Sequence, residues 1–249
     1  MNSPSIASSV REALLSRFLR YVAIDTESDP TSTTYPSTEK QLDLLRLLRD
    51  ELIEMGVPEV RLLEKGYVIA QIPATPGYED RPAIGLIAHA DTSPDFTGRG
   101  VRPQIIEDYD GSPIALGDTA VLTAREFPEL MELLGHTLIT TDGSTLLGAD
   151  DKAGVAEIME TVRYILAHPE LPHGKICIGF TPDEEIGKGV DFFDVKAFGA
   201  DFAFTVDGSR EGELEYENFN AASARVVAHG RSIHPGSAKG KMINALEAI

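Results

Sequence analysis

The sequence predicts an α/β fold, with a mixed, mostly parallel sheet flanked by helices. Segments with apolar residues at helical spacing alternate along the chain with short apolar runs. One of these runs, 83–88, is continuously apolar, which is typical of a strand buried on both faces. Alternation of helices and strands favours a sheet with helices packed on its faces.

Two helices are predicted near the start of the chain. The first covers 10–24, where apolar residues recur at helical spacing. The second follows Ser37, a suitable N-cap, and ends at Gly56. Between them, residues 28–36 are rich in Ser, Thr and Pro and are predicted to form a loop.

The remaining pattern alternates strands with one long helix. Asp142-Gly143 is typical of a hairpin turn and predicts that 137–140 and 145–147 pair. A helix with a period near 3.6 follows, and either Asp150 or Asp151 can cap it. No element is predicted over 95–128. The other predicted strands are 60–63, 67–72, 83–88, 176–180 and 202–206.

The pattern changes after Gly212. Acidic and apolar residues alternate from 213 to 219, which predicts a half-exposed strand that opens a second domain. We therefore expect a catalytic domain over 1–211 and the beginning of a smaller α+β domain over 212–249.

Composition excludes several classes of protein. The 249 residues carry 22 basic and 40 acidic side chains, a net charge of −18, whereas nucleic-acid binders show a basic footprint. No apolar run is long enough to span a bilayer. Cys177 is the single cysteine, so no disulfide forms within the chain, which fits a reducing compartment. We expect a cytoplasmic protein without nucleic-acid or membrane partners.

Residues that bind metals follow four predicted strands. His89 and Asp91 follow one strand, and the acidic pairs 150–151 and 184–185 follow two others. Asp207 follows the fourth. Because ligands collect beyond the carboxyl ends of strands in α/β sheets, we expect these side chains to meet.

The types of side chain indicate metal-assisted hydrolysis. Imidazole and carboxylates suit zinc, and two divalent cations would neutralise such a group of acids. In the His-x-Asp pattern both side chains lie on one strand face, so Asp91 can accept a hydrogen bond from His89. Of Glu184 and Glu185, one can bind metal while the other acts as a general base.

Each motif also has a simpler interpretation. His89 and Asp91 could be a buried pair without a metal, and the acids at 150–151 could only cap a helix. Glu184 and Glu185 could form a solvated turn, and Asp207-Gly208 is common in turns. The shared position at strand ends favours the metal site.

Longer motifs add a family resemblance. The chain resembles the di-zinc peptidases and deacylases that include aminoacylase and succinyl-diaminopimelate desuccinylase. Within that family it is most similar to the tripeptide aminopeptidases. The matching stretches are IGLIAHADTSPD (84–95), LITTDGSTLLGADDKAGVAEIM (138–159), FTPDEEIGKG (180–189), TVDG (205–208), ENFNAAS (217–223) and IHPGSAKGKMINAL (233–246).

The resemblance implies a di-zinc aminopeptidase that releases the N-terminal residue of tripeptides by attack of a zinc-activated water, with Co²⁺ or Mn²⁺ as alternative metals. It implies that a smaller lid domain mediates dimerisation and that the peptide between the two aspartates at 150–151 is cis. The resemblance implies four metal ligands: His89 and Asp207 as terminal ligands of different zincs, Asp150 as the bridging ligand and Glu185 as a further ligand. It implies that Glu184 is the base and that Asp91 orients His89. It also implies that His234, on the lid, contacts the substrate carbonyl.

The sequence also departs from the family. Its members return from the lid to the catalytic domain, where a late histidine supplies another ligand, whereas this sequence ends at Ile249. We therefore expect a truncated chain, with a metal-dependent deacylase or an inactive metal-binding fragment as alternatives.

Overall fold

The computed structural model describes residues 8–118, 120–208, 210, 212–218, 220–222 and 224–247. Their contacts divide the chain into two units, 1–209 and 210–249. Within the described residues, the first unit has helices α1 Ser8–Val22, α2 Gln41–Glu54, α3 Ala149–Ala167 and α4 Val195–Phe198, and strands β1 Glu59–Leu62, β2 Val68–Ile72, β3 Ile84–His89, β4 Pro103–Ile106, β5 Ile114–Leu116, β6 Ala120–Leu122, β7 Leu138–Thr141, β8 Ile176–Thr181 and β9 Phe202–Thr205.

The central sheet has five strands in the order β1-β2-β8-β3-β9. β3 pairs in parallel with both β8 and β9, whereas β2 is antiparallel to β1 and to β8. Four of the five strands therefore run in one direction, with β2 reversed. The carboxyl ends of β8, β3 and β9 consequently lie side by side at one edge of the sheet.

Side-chain alternation divides the core between the two faces of the sheet. Val68, Ala70 and Ile72 of β2 face a large cluster that α1, α2 and α3 complete. Ile69, between them, faces a smaller cluster with Cys177 and Phe198. The period of two along a strand produces this division, and the larger cluster fixes α3 against the sheet beside the strand ends.

Two sequence predictions about local structure in the first unit are wrong. Ser37 does not cap α2, which begins after Lys40 without a side-chain cap. The Ser37 hydroxyl instead donates to Asp183. The turn at Asp142 does not join a hairpin, because β7 pairs with β4, and no strand follows at 145–147. Side chains hold this turn, where Thr141 Oγ1 accepts from the Gly143 amide and donates to the Thr145 carbonyl.

The stretch over 95–128, for which the sequence predicted no element, contains β4, β5 and β6. β4 pairs with β7, and β5 with β6, each pair forming a two-stranded sheet apart from the central one. These strands are only three or four residues long. Short strands without a continuous apolar face leave little periodic signal in a sequence, which explains the missing prediction.

The second unit contains short elements. Arg231 and Ile243 form an isolated antiparallel bridge, and 3₁₀ turns cover Pro235–Ser237 and Ala245–Glu247. The predicted strand over 213–219 is wrong for residues 213–218, which form no strand, while residue 219 lies outside the described residues. Leu214 and Tyr216 are exposed there, so no buried face supports a strand. The assignment of domains at 211 and 212 stays a prediction.

None of the described helices combines the length and the apolar character needed to cross a membrane.

Candidate metal centre

The strand ends bring the predicted ligands together. His89 is the last residue of β3, and the acidic pair 184–185 follows β8, the parallel neighbour of β3 on one side. Asp207 follows β9, the parallel neighbour on the other side. Asp150 lies in the first turn of α3, which packs against β3. The site therefore lies where ligands of α/β sheets commonly bind.

His89 is at the centre of the cluster. Its Nε2 atom lies 2.9 Å from Asp150 Oδ1, 3.8 Å from Asp207 Oδ2 and 3.9 Å from Glu184 Oε2. Among the described residues, His89, Asp150 and Glu185 form a group whose ligand atoms lie within 4.8 Å of one another. The structure thus gathers the four predicted ligands and Glu184, while the division of ligands between two ions stays a prediction.

Asp91 links two parts of the site. It is fully buried, and His89 Nδ1 lies 3.0 Å from its carbonyl oxygen and 3.3 Å from its carboxylate. Both neighbours are oxygen acceptors, so Nδ1 carries the proton and Nε2 faces the other acids. The Asp91 carboxylate also accepts the amides of Glu184 at 2.9 Å and Glu185 at 3.2 Å, a contact that sequence reasoning missed.

The charge on His89 follows from these contacts. Burial alone would lower the pKa of the imidazole, but the hydrogen bond and charge of Asp91, together with the charges of Asp151 and Asp207, outweigh burial and raise the pKa to about 10. In the metal-free chain a proton on Nε2 therefore lies between the ring and Asp150. A cation bound to both residues would replace that proton.

Asp151 is a second buried acid of the site, and the sequence predicts no ligand role for it. It is 2% exposed and accepts the His89 amide at 3.1 Å and the Gly154 amide at 3.2 Å. The backbone is non-helical at Asp150 and Asp151, within the first turn of α3, and the Asp151 carboxylate caps the part of the helix that follows. The Asp150-Asp151 peptide is cis. Burial raises the pKa of Asp151 to about 8. With His89 and Asp207 it forms the other group of possible ligand atoms within 4.8 Å.

The electrostatics of the cluster fit a bound cation. Burial and the nearby charges of Asp150 and Glu184 raise the pKa of Asp207 to about 6. Burial and Asp150 likewise raise the pKa of Glu185. Carboxylates whose ionised forms are disfavoured in this way are stabilised when a divalent cation neutralises them. One imidazole with several carboxylates is also a ligand set that suits zinc.

His234, the predicted substrate contact, lies in the second unit. Its Nδ1 atom accepts the Gly236 amide at 3.1 Å and begins the 3₁₀ turn there. This local hydrogen bond orients the ring within its own unit, and the contact with substrate stays a prediction.

Known proteins resemble this chain over most of its length. Peptidase T from Clostridium acetobutylicum is 57% identical over 237 residues, which cover 94% of this chain and 58% of that protein. Peptidase T from Desulfitobacterium hafniense is 59% identical over 236 residues, 94% of this chain and 57% of that protein. Residues 216–249 match the model of a peptidase dimerisation domain. The chain therefore spans somewhat more than half the length of these relatives.

Solved structures confirm the predicted α/β fold. The crystal structure of aminopeptidase PepT from Bacillus cereus matches with a TM-score of 0.59 and 25% identity, over 95% of this chain and 54% of that one. A tripeptidase from Staphylococcus aureus matches with a TM-score of 0.56 and 26% identity, over 80% and 44% of the two chains. Because identity above one half extends over nearly all of its residues, the chain is similar to peptidase T over the part of that protein that it spans.

Proposed function

We propose that this chain carries the hydrolytic site of a metal-dependent aminopeptidase that acts on tripeptides. The observation that supports this most is the convergence of His89, Asp150, Glu185 and Asp207 on one sheet edge, with Glu184 beside them. The Bacillus cereus relative is described as an aminopeptidase and the Staphylococcus aureus relative as a tripeptidase.

Two zinc ions are the proposed cofactors. His89, Asp150, Glu185 and Asp207 would hold them, and Asp91 would keep the His89 ring oriented. When bound, such ions supply a Lewis acid for the scissile carbonyl and lower the pKa of water. The same oxygen-rich ligand set also accepts Co²⁺ or Mn²⁺, so the identity of the metal has to be measured.

Glu184 is the proposed general base. Its side chain is 53% exposed, whereas its amide is fixed to Asp91. The carboxylate is thus free to take a proton from the attacking water and to pass it to the leaving amine. A positioned base of this kind contributes about 100- to 10,000-fold to the rate. Substrate contact through His234 completes the proposal.

Replacement of Glu184 tests this assignment. Glu184→Gln should lower kcat on a tripeptide by about 100- to 10,000-fold, because the amide cannot accept the proton. Zinc content, measured by atomic emission, should stay unchanged. Glu64→Gln is the matched control, since the Glu64 side chain is 91% exposed. Near-full activity of Glu184→Gln would refute the role of base.

A substrate panel separates the peptidase from the related deacylases. Zinc-loaded protein should hydrolyse tripeptides faster than dipeptides and N-acyl amino acids, measured by release of free amines. A preference for N-acyl amino acids would identify a deacylase. Zinc binding without turnover of any of these substrates would support an inactive metal-binding chain.

The second unit is proposed to take part in a homodimer. Its match to a peptidase dimerisation domain supports this, as do exposed apolar side chains such as Val226 and Leu246. Sedimentation equilibrium should show a dimer, and Val226→Asp should shift it towards the monomer. A monomer at every concentration would contradict the proposal.

The cytoplasm is the proposed compartment, because the single cysteine, Cys177, is free and buried.

A further inference from the structure

Asp183, immediately before Glu184, combines two unusual properties. It is fully buried, and its backbone has a positive φ of 58°. Non-glycine residues seldom adopt this conformation, although Asp tolerates it better than most. Such conformations persist only where surrounding contacts enforce them, and they occur preferentially at functional sites.

The enforcing contacts come from a distant segment of the chain. The Asp183 carboxylate accepts the Ser37 amide at 2.8 Å, the Ser37 hydroxyl and the Gln41 side-chain amide, the last at 2.7 Å. Gln41 Oε1 in turn accepts the Asp183 amide at 3.2 Å. Gln41 therefore holds both the backbone and the side chain of Asp183, and all three residues are buried.

The segment that contains Ser37 is itself hydrogen-bonded to Thr92, which follows β3. The Ser28 amide donates to the Thr92 carbonyl at 3.1 Å, and the Thr92 amide donates to the Thr26 carbonyl at 3.2 Å. Ser37 Oγ also accepts the Asp29 amide at 2.9 Å. The network thus extends from the end of β3, past Asp91, to the residue that precedes Glu184.

Glu184 is consequently held on both sides of its backbone, while its side chain is 53% exposed. Its own amide is bound to Asp91, and the preceding residue is fixed by the buried contacts. Carbonyls in the same turn are also bound, since Gly187 and Lys188 donate to the carbonyls of Glu184 and Asp183. A base needs such placement, because a displacement of about 1 Å can cost about 100-fold in rate.

We propose that Ser37, Gln41 and Asp183 are positioning residues that set the location of Glu184 for catalysis. This inference rests on the proposed role of Glu184 as general base. It assigns the geometry of the turn to a function other than stability, in which the three residues act through the backbone of Glu184.

Asp183→Asn is the decisive variant. Asn keeps the size and tolerates the positive φ, but its amide replaces one acceptor oxygen that faces Ser37 and Gln41. We expect kcat on a tripeptide to fall by about 10- to 100-fold with KM changed less than about threefold. Zinc content should match that of the unchanged protein, because no proposed ligand is altered.

Amide hydrogen exchange gives a readout that does not need activity. In Asp183→Asn, exchange over residues 184–188 should accelerate at least about tenfold, while exchange in α3 stays unchanged. Asp110→Asn is the matched control, since the exposed Asp110 carboxylate accepts the Ser112 amide in a loop outside the network; it should change neither exchange over 184–188 nor kcat.

Ser37→Ala and Gln41→Met provide independent variants in case Asp183→Asn fails to fold. Both should reproduce the kcat loss and the faster exchange. Normal kcat in folded variants, with only a lower Tm, would assign the network to stability and overturn the proposal. Unchanged exchange over 184–188 would overturn it as well. A zinc-loaded wild-type chain without turnover would refute the proposed function, while the exchange data would still decide whether the network holds Glu184.

Discussion

Two sets of acidic residues meet at the sheet edge, and they differ in burial and in partners. The inner carboxylates, Asp91, Asp151 and Asp183, are at most 2% exposed, and each accepts at least one backbone amide. The outer carboxylates face solvent to a greater extent. The exposed fraction of the side chain is 72% for Asp150, 53% for Glu184 and 29% for Asp207, and Glu185 is half-buried.

The difference separates two tasks within one cluster. A buried carboxylate is stable only when hydrogen bonds replace its lost water, and each inner carboxylate accepts backbone amides that fix the chain around the site. The outer carboxylates keep oxygen atoms available for metal, water or substrate. Variants in the two sets should therefore fail in different ways, and measurements can test this.

The largest effect is expected for an outer carboxylate. Asp150→Asn removes a charged oxygen 2.9 Å from His89 Nε2. We expect zinc content to fall below one ion per chain and turnover to drop at least about 1,000-fold, because the loss of metal removes several kcal/mol of transition-state stabilisation. The Tm of the metal-free variant should stay within a few degrees of the Tm of the metal-free unchanged protein. A variant with full zinc content would contradict the division into two sets.

An inner carboxylate should show the intermediate effect. Asp91→Asn weakens the hydrogen bond that orients His89 and one of the bonds to the amides of Glu184 and Glu185. Zinc affinity, measured by competition with a chelator, should fall about 10- to 100-fold. Unlike Asp150→Asn, this variant should also lower Tm. Unchanged Tm and affinity would show that Asp91 does not anchor the site.

A glycine beside the inner carboxylates tests packing alone. A Cβ atom at Gly154 would lie 1.8 Å from the Val206 carbonyl oxygen and 2.4 Å from Asp151 Oδ1. Gly154→Ala should therefore destabilise the fold by about 1–3 kcal/mol, seen in urea unfolding. Gly208→Ala, where a Cβ would meet nothing within 4 Å, is the control. Equal stability of the two variants would contradict this close approach.

The smallest effect concerns pH in the absence of metal. The pKa values of Asp207 and Asp151 are raised from 3.8 to about 6 and about 8, and that of His89 is raised as well. Between pH 5 and 8 the folded chain therefore binds more protons than the unfolded chain, so stability falls as pH rises. We expect Tm in chelator to drop by a few degrees across this range.

Zinc should reverse that trend, because the ion replaces the protons and binds best when its ligands are deprotonated. Asp207→Asn should flatten the profile recorded in chelator, since it removes one group with a raised pKa. A Tm in chelator that rises from pH 5 to pH 8 would contradict the electrostatic account of the cluster.

The sequence predicted that the outer carboxylates meet at one edge of the sheet, but it did not predict the contacts of the inner ones. Strand ends can be located from apolar runs, so the positions of His89, Glu184 and Asp207 at one edge could be predicted. The partners of Asp183 lie 142 and 146 residues away in the sequence. No local pattern contains such a pairing, and the local pattern at Ser37 predicts a helix cap instead.

The prediction of a hairpin at Asp142 is wrong for a related reason. Asp-Gly is compatible with several turns, and the choice among them depends on which strand is available for pairing. Here β4, more than 30 residues earlier, pairs with β7. The strand predicted near Glu213 illustrates the opposite case, because alternation without a neighbouring strand leaves residues 213–218 exposed and without a strand.

The double attachment of Asp91 has a consequence for engineering. The Asp91 carboxylate contacts the His89 imidazole at the end of β3 and accepts two amides of the turn after β8, the adjacent strand. Attempts to graft this centre onto another scaffold would have to transfer both strand ends and their shared aspartate as one block. Redesign of metal preference, by contrast, can be confined to the solvent-facing acids and leave that block intact.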